Sequence, residues 1–265
     1  MKISGNLSKM KAVQADPIQY TLHLGETTLP MNDLLGQKIR LNYEGRINCV
    51  VCGKKIKKAF GQGLCYPDFI NSPWNSECIL RPELCRGHEG GGRDPEWELE
   101  KHVQPHYVYL ALTSGVKVGV TRFANTPDRW MNQGAWQVIR LAETPYRKLA
   151  GDIEVYLKDF VTDKTNWQRM LKDERKEDVD LIDEKEDLLN ELPEELGQYY
   201  SEDDEVLEFN YPVLEYPQKI KSLNLDKTPV IEGELQGIRA QYLIFDGGRV
   251  INLRRFSGYW IDFEA

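Results

Sequence analysis

Two side chains in one short stretch have the chemistry to act on a phosphodiester: Arg129 and Glu154. A guanidinium offsets charge that builds on a phosphate, and a carboxylate holds a divalent cation that activates water. Upstream, all five cysteines fall between positions 49 and 85. Cys49-Val-Val-Cys52-Gly53-Lys54 has the form of a zinc knuckle, in which glycine after the second cysteine permits the turn that aims both sulfurs at one ion. Cys65, Cys78 and Cys85-Arg-Gly-His88 follow.

The ligand-type set Cys49, Cys52, Cys65, Cys78, Cys85 and His88 is too large for one closed tetrahedral site and too small for two. A second arrangement divides the donors as Cys49, Cys52, Cys65 and Asp68 for one ion, with Cys78, Cys85, His88 and His102 for another. One structural Zn²⁺ or two are expected. The spacing favours a metal over disulfides in a reducing compartment, and no thioredoxin-like βαβ unit surrounds the CxxC to make it redox-active.

The elements that must position the catalytic candidates are legible from their pattern. Tyr107-Val-Tyr109 opens a strand, Ser114-Gly115 turns the chain, and Lys117-Val-Gly119 lies on the hairpin partner. Gly119 inside a strand suggests close approach of a backbone or a ligand. Arg129 sits in a short helical stretch after Pro127. Thr144-Pro145 reads as the cap and first position of a helix with Leu149, Ile153, Leu157 and Phe160 on its apolar stripe. Glu154 borders that stripe, and it stands i,i+4 to Lys158, the spacing of a helical ion pair.

This segment resembles the GIY-YIG nuclease domain. The resemblance implies a ββαβα core in which Tyr109 takes the first signature tyrosine, Arg129 the phosphate-stabilising role and Glu154 the ligand role for Mg²⁺ or Mn²⁺. Lys117 stands where the second tyrosine would be, as in a phage-associated branch with lysine-isoleucine-glycine there. Gln133 stands where histidine or tyrosine often follows the arginine. Taken together, CVVC, GQGLCYP, CILRPELC, KVGVTR, RWMNQGA and DKTNW make residues 49–170 similar to an uncharacterised prokaryotic family of zinc-type proteins.

The flanks repeat each other. Ile3, Gly5, Leu7, Met10 and Ala12 recur as Ile231, Gly233, Leu235, Ile238 and Ala240, and Gln19-Tyr20 recurs as Gln241-Tyr242. A turn with Gly25 or Gly247-Gly248 follows, then Gly36 or Gly258 before the alternating strands KIRL and YWIDF. The expected fold is α+β. A β unit (1–48) pairs with a C-terminal copy (206–265) in a small barrel or sandwich, and a loop-built zinc module (49–105) precedes a GIY-YIG-like domain (106–171). An acidic helical arm (172–205), interrupted at Leu192-Pro193, completes it.

Charge is unevenly spread. Between Lys172 and Glu208 there are 17 acidic and 4 basic residues, a local balance of −13 against −8 for the whole chain, so the remainder is net basic. Lys38 to Arg93 holds 10 basic and 5 acidic residues, compatible with phosphate contacts. DNA or RNA is the expected partner, with a protein partner for the acidic arm as a further option. No apolar run approaches a membrane span and no signal-peptide pattern is present, so a cytoplasmic location is expected. The absence of a P-loop, GxGxxG or GxSxG argues against small-molecule catalysis. Two readings stand: a nucleic-acid-binding phosphodiesterase, or a non-catalytic adaptor that binds nucleic acid or protein on the same scaffold.

Overall fold

The alternation in KIRL and YWIDF builds the spine of the largest sheet: Ile39, Leu41, Ile261 and Phe263 are buried, and the residues between them face outward. The computed structural model describes all residues, 1–265, in two units. Residues 1–69 carry β1 (Lys2–Asn6), β2 (Lys11–Val13), β3 (Gln19–Leu24), β4 (Thr27–Pro30), β5 (Lys38–Asn48) and β6 (Lys55–Ile56). Next come α1 (Tyr66–Asn71) and α2 (Pro95–His102), then β7 (His106–Leu112), β8 (Val116–Arg122), α3 (Asp128–Met131), β9 (Gln137–Thr144) and α4 (Arg147–Leu157). They are followed by α5 (Trp167–Leu171), α6 (Leu181–Glu191), α7 (Glu194–Gly197) and β10 (Leu207–Glu208). The C-terminal segment holds β11 (Lys221–Ser222), β12 (Val230–Arg239), β13 (Tyr242–Phe245), β14 (Arg249–Asn252) and β15 (Tyr259–Glu264).

The first unit comprises residues 1–69, 171–173 and 209–265. Its large sheet runs β1-β15-β5-β12-β13-β14-β11, with β6 added on β5, and a second sheet runs β2-β3-β4. The two sequence copies exchange strands: β1 pairs with β15, and β12 pairs with β5. The registers repeat as well. Ile3 faces Phe263 as Ile231 faces Leu41, and Gly5 faces Ile261 as Gly233 faces Ile39. The Gly258 amide donates to the Leu7 carbonyl at 2.8 Å, and the Gly36 amide donates to the Leu235 carbonyl at 2.8 Å. The duplication is therefore structural, with a pseudo-two-fold passing near the Leu41–Phe263 pair of β5 and β15. The large sheet is open, with β1 and β11 at its ends, so the barrel option is corrected. Closure would require β1 to meet β11, whereas β11 adds in parallel to β14.

The second unit comprises residues 70–170 and 174–208. Its antiparallel sheet has the order β10-β9-β7-β8, and the run β7-β8-α3-β9-α4 supplies the expected order of two strands, helix, strand, helix. Every residue of the central β7 is buried. Val108, Leu110, Val118, Ile139 and Leu141 pack with Ala150, Ile153 and Leu157 of α4 and with Leu181 and Leu188 of α6. The acidic segment is thus not a detached arm, because its i,i+7 leucines join this core. Lys185, fully buried, pairs with Asp204 at 2.8 Å and donates to the Asp203 carbonyl at 2.8 Å. Pro193 follows the end of α6, as the sequence indicated.

Two sequence readings change. Thr144 does not cap α4: it ends β9 opposite His106, its hydroxyl donates to the Tyr146 carbonyl at 3.1 Å, and α4 starts at Arg147 without a side-chain cap. The expected single module 49–105 divides between Phe69 and Ile70, because its cysteines gather into two separate local clusters.

Candidate functional site

Tyr109 on β7 lies directly across from Gly119 on β8, and Ala111 lies across from Lys117. Cross-strand partners share a face, so Tyr109 and Lys117 project to the same side of the sheet. Both are buried. Tyr109 occupies the space over Gly119, where a Cβ would stand 2.7 Å from its hydroxyl oxygen. The glycine serves an aromatic side chain rather than the backbone or ligand the sequence suggested. The Tyr109 hydroxyl donates to Gln133 Oε1 at 2.7 Å, and its ring meets the Trp130 ring edge-on at 5.9 Å.

Arg129, on the single turn of α3, reaches the Tyr109 hydroxyl and acts on the Lys117 ammonium. Glu154 approaches from α4 and influences both groups. Arg129 and Glu154 therefore lie near enough to act electrostatically on both the Tyr109 phenol and the Lys117 ammonium, and Gln133 bonds that phenol. Burial pushes the Tyr109 phenol above its usual range, and Arg129 partly opposes this. Burial, with Arg129 beside it, brings Lys117 down from 10.5 to about 7. Glu154 is raised by burial, while Lys158 holds it back. Lys158 lies 3.4 Å from Glu154 and 3.4 Å from Asp163, so the predicted i,i+4 pair is present and extends to a second carboxylate.

The first cysteine cluster lies in the first unit. The chain leaves β5 at Asn48, and the Gly53 amide closes the knuckle on the Cys49 carbonyl at 2.9 Å, with Gly53 at φ +71. Cys65 precedes α1, and Asp68 lies in the first turn of that helix. The Cys65 amide donates to Cys49 Sγ at 3.2 Å, and the Cys52 and Cys65 sulfurs are 3.8 Å apart. Tetrahedral zinc with bonds of about 2.3 Å sets sulfurs roughly 3.8 Å apart. Asp68 Oδ2 lies 3.0 Å from both Cys49 Sγ and Cys65 Sγ. Thiol donation from Cys49, Cys52 and Cys65 holds the Asp68 carboxyl at about 2, and Asp68 in turn pushes Cys65 up to about 12. Cys52 is exposed, so this cluster opens to solvent.

The second cluster lies in the second unit and is closed. Cys78 sits in the turn Glu77–Ile79, Cys85 follows the turn Pro82–Leu84, and Glu98 and His102 stand i,i+4 on α2. All four are at most 6% exposed. His102 Nδ1 is 3.5 Å from Cys85 Sγ, 3.9 Å from Cys78 Sγ and ion-paired with Glu98. Glu98 Oε2 is 3.8 Å from Cys78 Sγ, and Ser76 donates to its other oxygen at 3.1 Å. Gly92 makes room for Glu98: a Cβ there would stand 2.8 Å from the carboxyl carbon. Cys85 is held down to about 4 by Cys78 and His102, whereas Cys78 is driven up by Cys85, burial and Glu98. Each cluster, with four donors within 4.8 Å of one another, could hold a metal ion such as zinc.

A protein-family description matches residues 36–261, spanning both clusters and the Tyr109–Arg129–Glu154 group. The chain belongs to the family described as protein of unknown function (DUF2797). No curated protein and no solved structure matches it. No helix is long and apolar enough to cross a membrane.

His88 is not brought to either cluster. It lies on the turn Gly87–Glu89, stacks on Tyr146 at 4.6 Å with planes 6° apart, and has Glu89 3.8 Å from its Nε2. Glu98 holds the place assigned to His88 in the sequence reading, while His102 and Asp68 occupy those of the two-site arrangement. The signal for Glu98 was Glu-x-x-x-His on a short helix, which puts both side chains on one face.

Proposed function

We propose that the chain is a zinc-stabilised nucleic-acid phosphodiesterase whose β7-β8-α3-β9-α4 core works in the manner of a GIY-YIG nuclease on DNA or RNA. The observation that carries this reading is that Tyr109, Lys117, Arg129 and Glu154, from four elements, act on one another. Arg129, half-buried beside the phenol, is placed to offset charge on a phosphate. Lys117, poised at about 7, is partly neutral near pH 7 and can take or return a proton. Tyr109 is oriented by Gln133. Glu154, a buried carboxylate with Asp163 nearby across Lys158, suits Mg²⁺ or Mn²⁺, which binds through one or two carboxylates plus substrate phosphate. Such an ion supplies a more acidic water and charge neutralisation at the phosphate.

The two cysteine clusters hold structural Zn²⁺ in this reading. Their sulfur and nitrogen donors, close spacing and buried second site support it. The test is nicking of labelled DNA and RNA with Mg²⁺ or Mn²⁺. Wild type should cleave, and Arg129→Ala and Glu154→Ala should each lose about 10²–10³-fold. Equal background in all three would remove the catalytic reading.

One observation favours the adaptor reading instead: Lys158 already neutralises Glu154 at 3.4 Å. Salt-dependent nucleic-acid binding without turnover would select it.

A further inference from the structure

We infer that the buried Cys78–Cys85–Glu98–His102 cluster is a positioning device for α4, with Arg147 as the coupling residue, so that a metal held there sets the place of Glu154. The inference deepens the phosphodiesterase reading and rests on it only for its catalytic consequence. The ligand-bearing segment touches the start of α4 at three points. Arg147 Nε and Nη2 donate to the Cys78 carbonyl at 3.0 and 2.8 Å, and Nη2 also donates to the Ile79 carbonyl at 3.1 Å. One turn further on, Gly151 lies against the Pro82–Glu83 backbone so closely that a Cβ would collide with the Glu83 nitrogen and stand 2.8 Å from its Cα. Immediately before the helix, Tyr146 stacks on His88.

Arg147, Gly151 and Glu154 are spaced i, i+4, i+7 and so form one stripe along α4. The metal loop grips the first two positions, and the third is the candidate catalytic carboxylate. Ala150, Ile153 and Leu157 anchor a different stripe in the core. The core accordingly keeps α4 helical and attached, whereas the loop decides where along and about its axis the helix comes to rest. A shift of even about 1 Å in a catalytic group is costly to rate.

The loop itself depends on an ion. It closes two cysteine sulfurs, a carboxylate and an imidazole within 4.8 Å of one another in a buried space. Metal binding gives that cluster four ligand bonds, and such sites couple loop order to occupancy. Arg147 carries this order into α4 because its acceptors are the carbonyls of ligand Cys78 and its neighbour Ile79.

The experiment uses the full chain, loaded with Zn²⁺ and assayed for bound zinc, in wild type, Arg147→Met, Arg147→Lys and Gly151→Ala. Hydrogen exchange is read in peptides of α4 and β7, and kcat and KM are read in the nicking assay. Arg147→Met and Gly151→Ala should keep their zinc yet exchange at least fivefold faster in α4, with β7 unchanged. Their kcat should fall at least tenfold at constant KM, and Arg147→Lys should recover part of both. Zinc removal from wild type should reproduce the α4 effect. If α4 exchanges alike in wild type, both zinc-retaining variants and the zinc-free chain, the coupling is overturned. A wild type that never cleaves but shows the exchange pattern would sink the phosphodiesterase reading and leave the positioning role standing.

Discussion

The phenol of Tyr109 lies over Gly119 of the adjacent strand, with room for a hydrogen and not for a methyl group. Gly119→Ala should therefore displace a fully buried ring and weaken its hydrogen bond to Gln133. Overpacking of this kind costs roughly 1–3 kcal/mol. Urea unfolding should show a lower midpoint at unchanged slope. Tyr109→Phe should cost only about 1 kcal/mol by losing the hydrogen bond, yet reduce cleavage more than Gly119→Ala does per unit of lost stability. The reverse ranking would make Tyr109 a packing residue.

Lys117 gives a pH signature with a definite sign. Its folded pKa, about 7, lies below the ordinary 10.5, so between those values the unfolded chain binds more protons. Stability from this group consequently rises as pH climbs from about 7 to about 10.5, and the burden of a buried charge is full below 7. Lys117→Met should be more stable than wild type at pH 6, and the advantage should narrow towards pH 10. Chemical denaturation at the two pH values checks this, and a constant difference would contradict the buried position of the ammonium.

The strand-exchanged repeat was readable because its signals are spaced glycines and alternating apolar residues, which local chain geometry dictates. Whether the sheet closes depends on where the short β11 adds, and a two-residue strand carries no pattern. The order of two strands, helix, strand and helix was equally visible around Tyr109 and Glu154. Gly119 was misread because sequence shows that room is needed, not what fills it. Glu98 escaped notice because one carboxylate on a charged helix looks solvated. Only the fold shows that Gly92 lets it inward to Cys78 and His102. The acidic segment misled in the opposite way, since Leu181 and Leu188 mattered more than the charges around them.

Metal analysis separates the two clusters. Wild type should carry two zinc ions per chain, Cys85→Ser one, and Cys52→Ser one, whereas His88→Ala should retain both because His88 stacks on Tyr146 and ligates nothing. The open site, with Cys52 exposed, should surrender its ion to a chelator first, and the buried site should follow with faster exchange in α4. Metal binding is coupled to folding, so full chelation should lower the midpoint of thermal unfolding. His88→Ala with a single zinc would return that histidine to the ligand set.

Glu154 distinguishes structure from chemistry by a neutral substitution. Burial raises its pKa, so the carboxylate is harder to ionise in the fold than in the unfolded chain. A group of that kind loses stability as pH rises from its unfolded value, 4.5, through the higher folded one. Glu154→Gln removes that burden, and Lys158 keeps Asp163 at 3.4 Å, so no cation is stranded. Thermal unfolding at pH 7 should therefore show a Tm equal to or above that of wild type. Cleavage, in contrast, should fall by about 10²-fold or more, because an amide is a poor ligand for Mg²⁺ or Mn²⁺ beside a phosphate. If Glu154 served only as the ion-pair partner of Lys158, the variant would lose stability while leaving any nicking activity intact, and that combination would remove Glu154 from the active site.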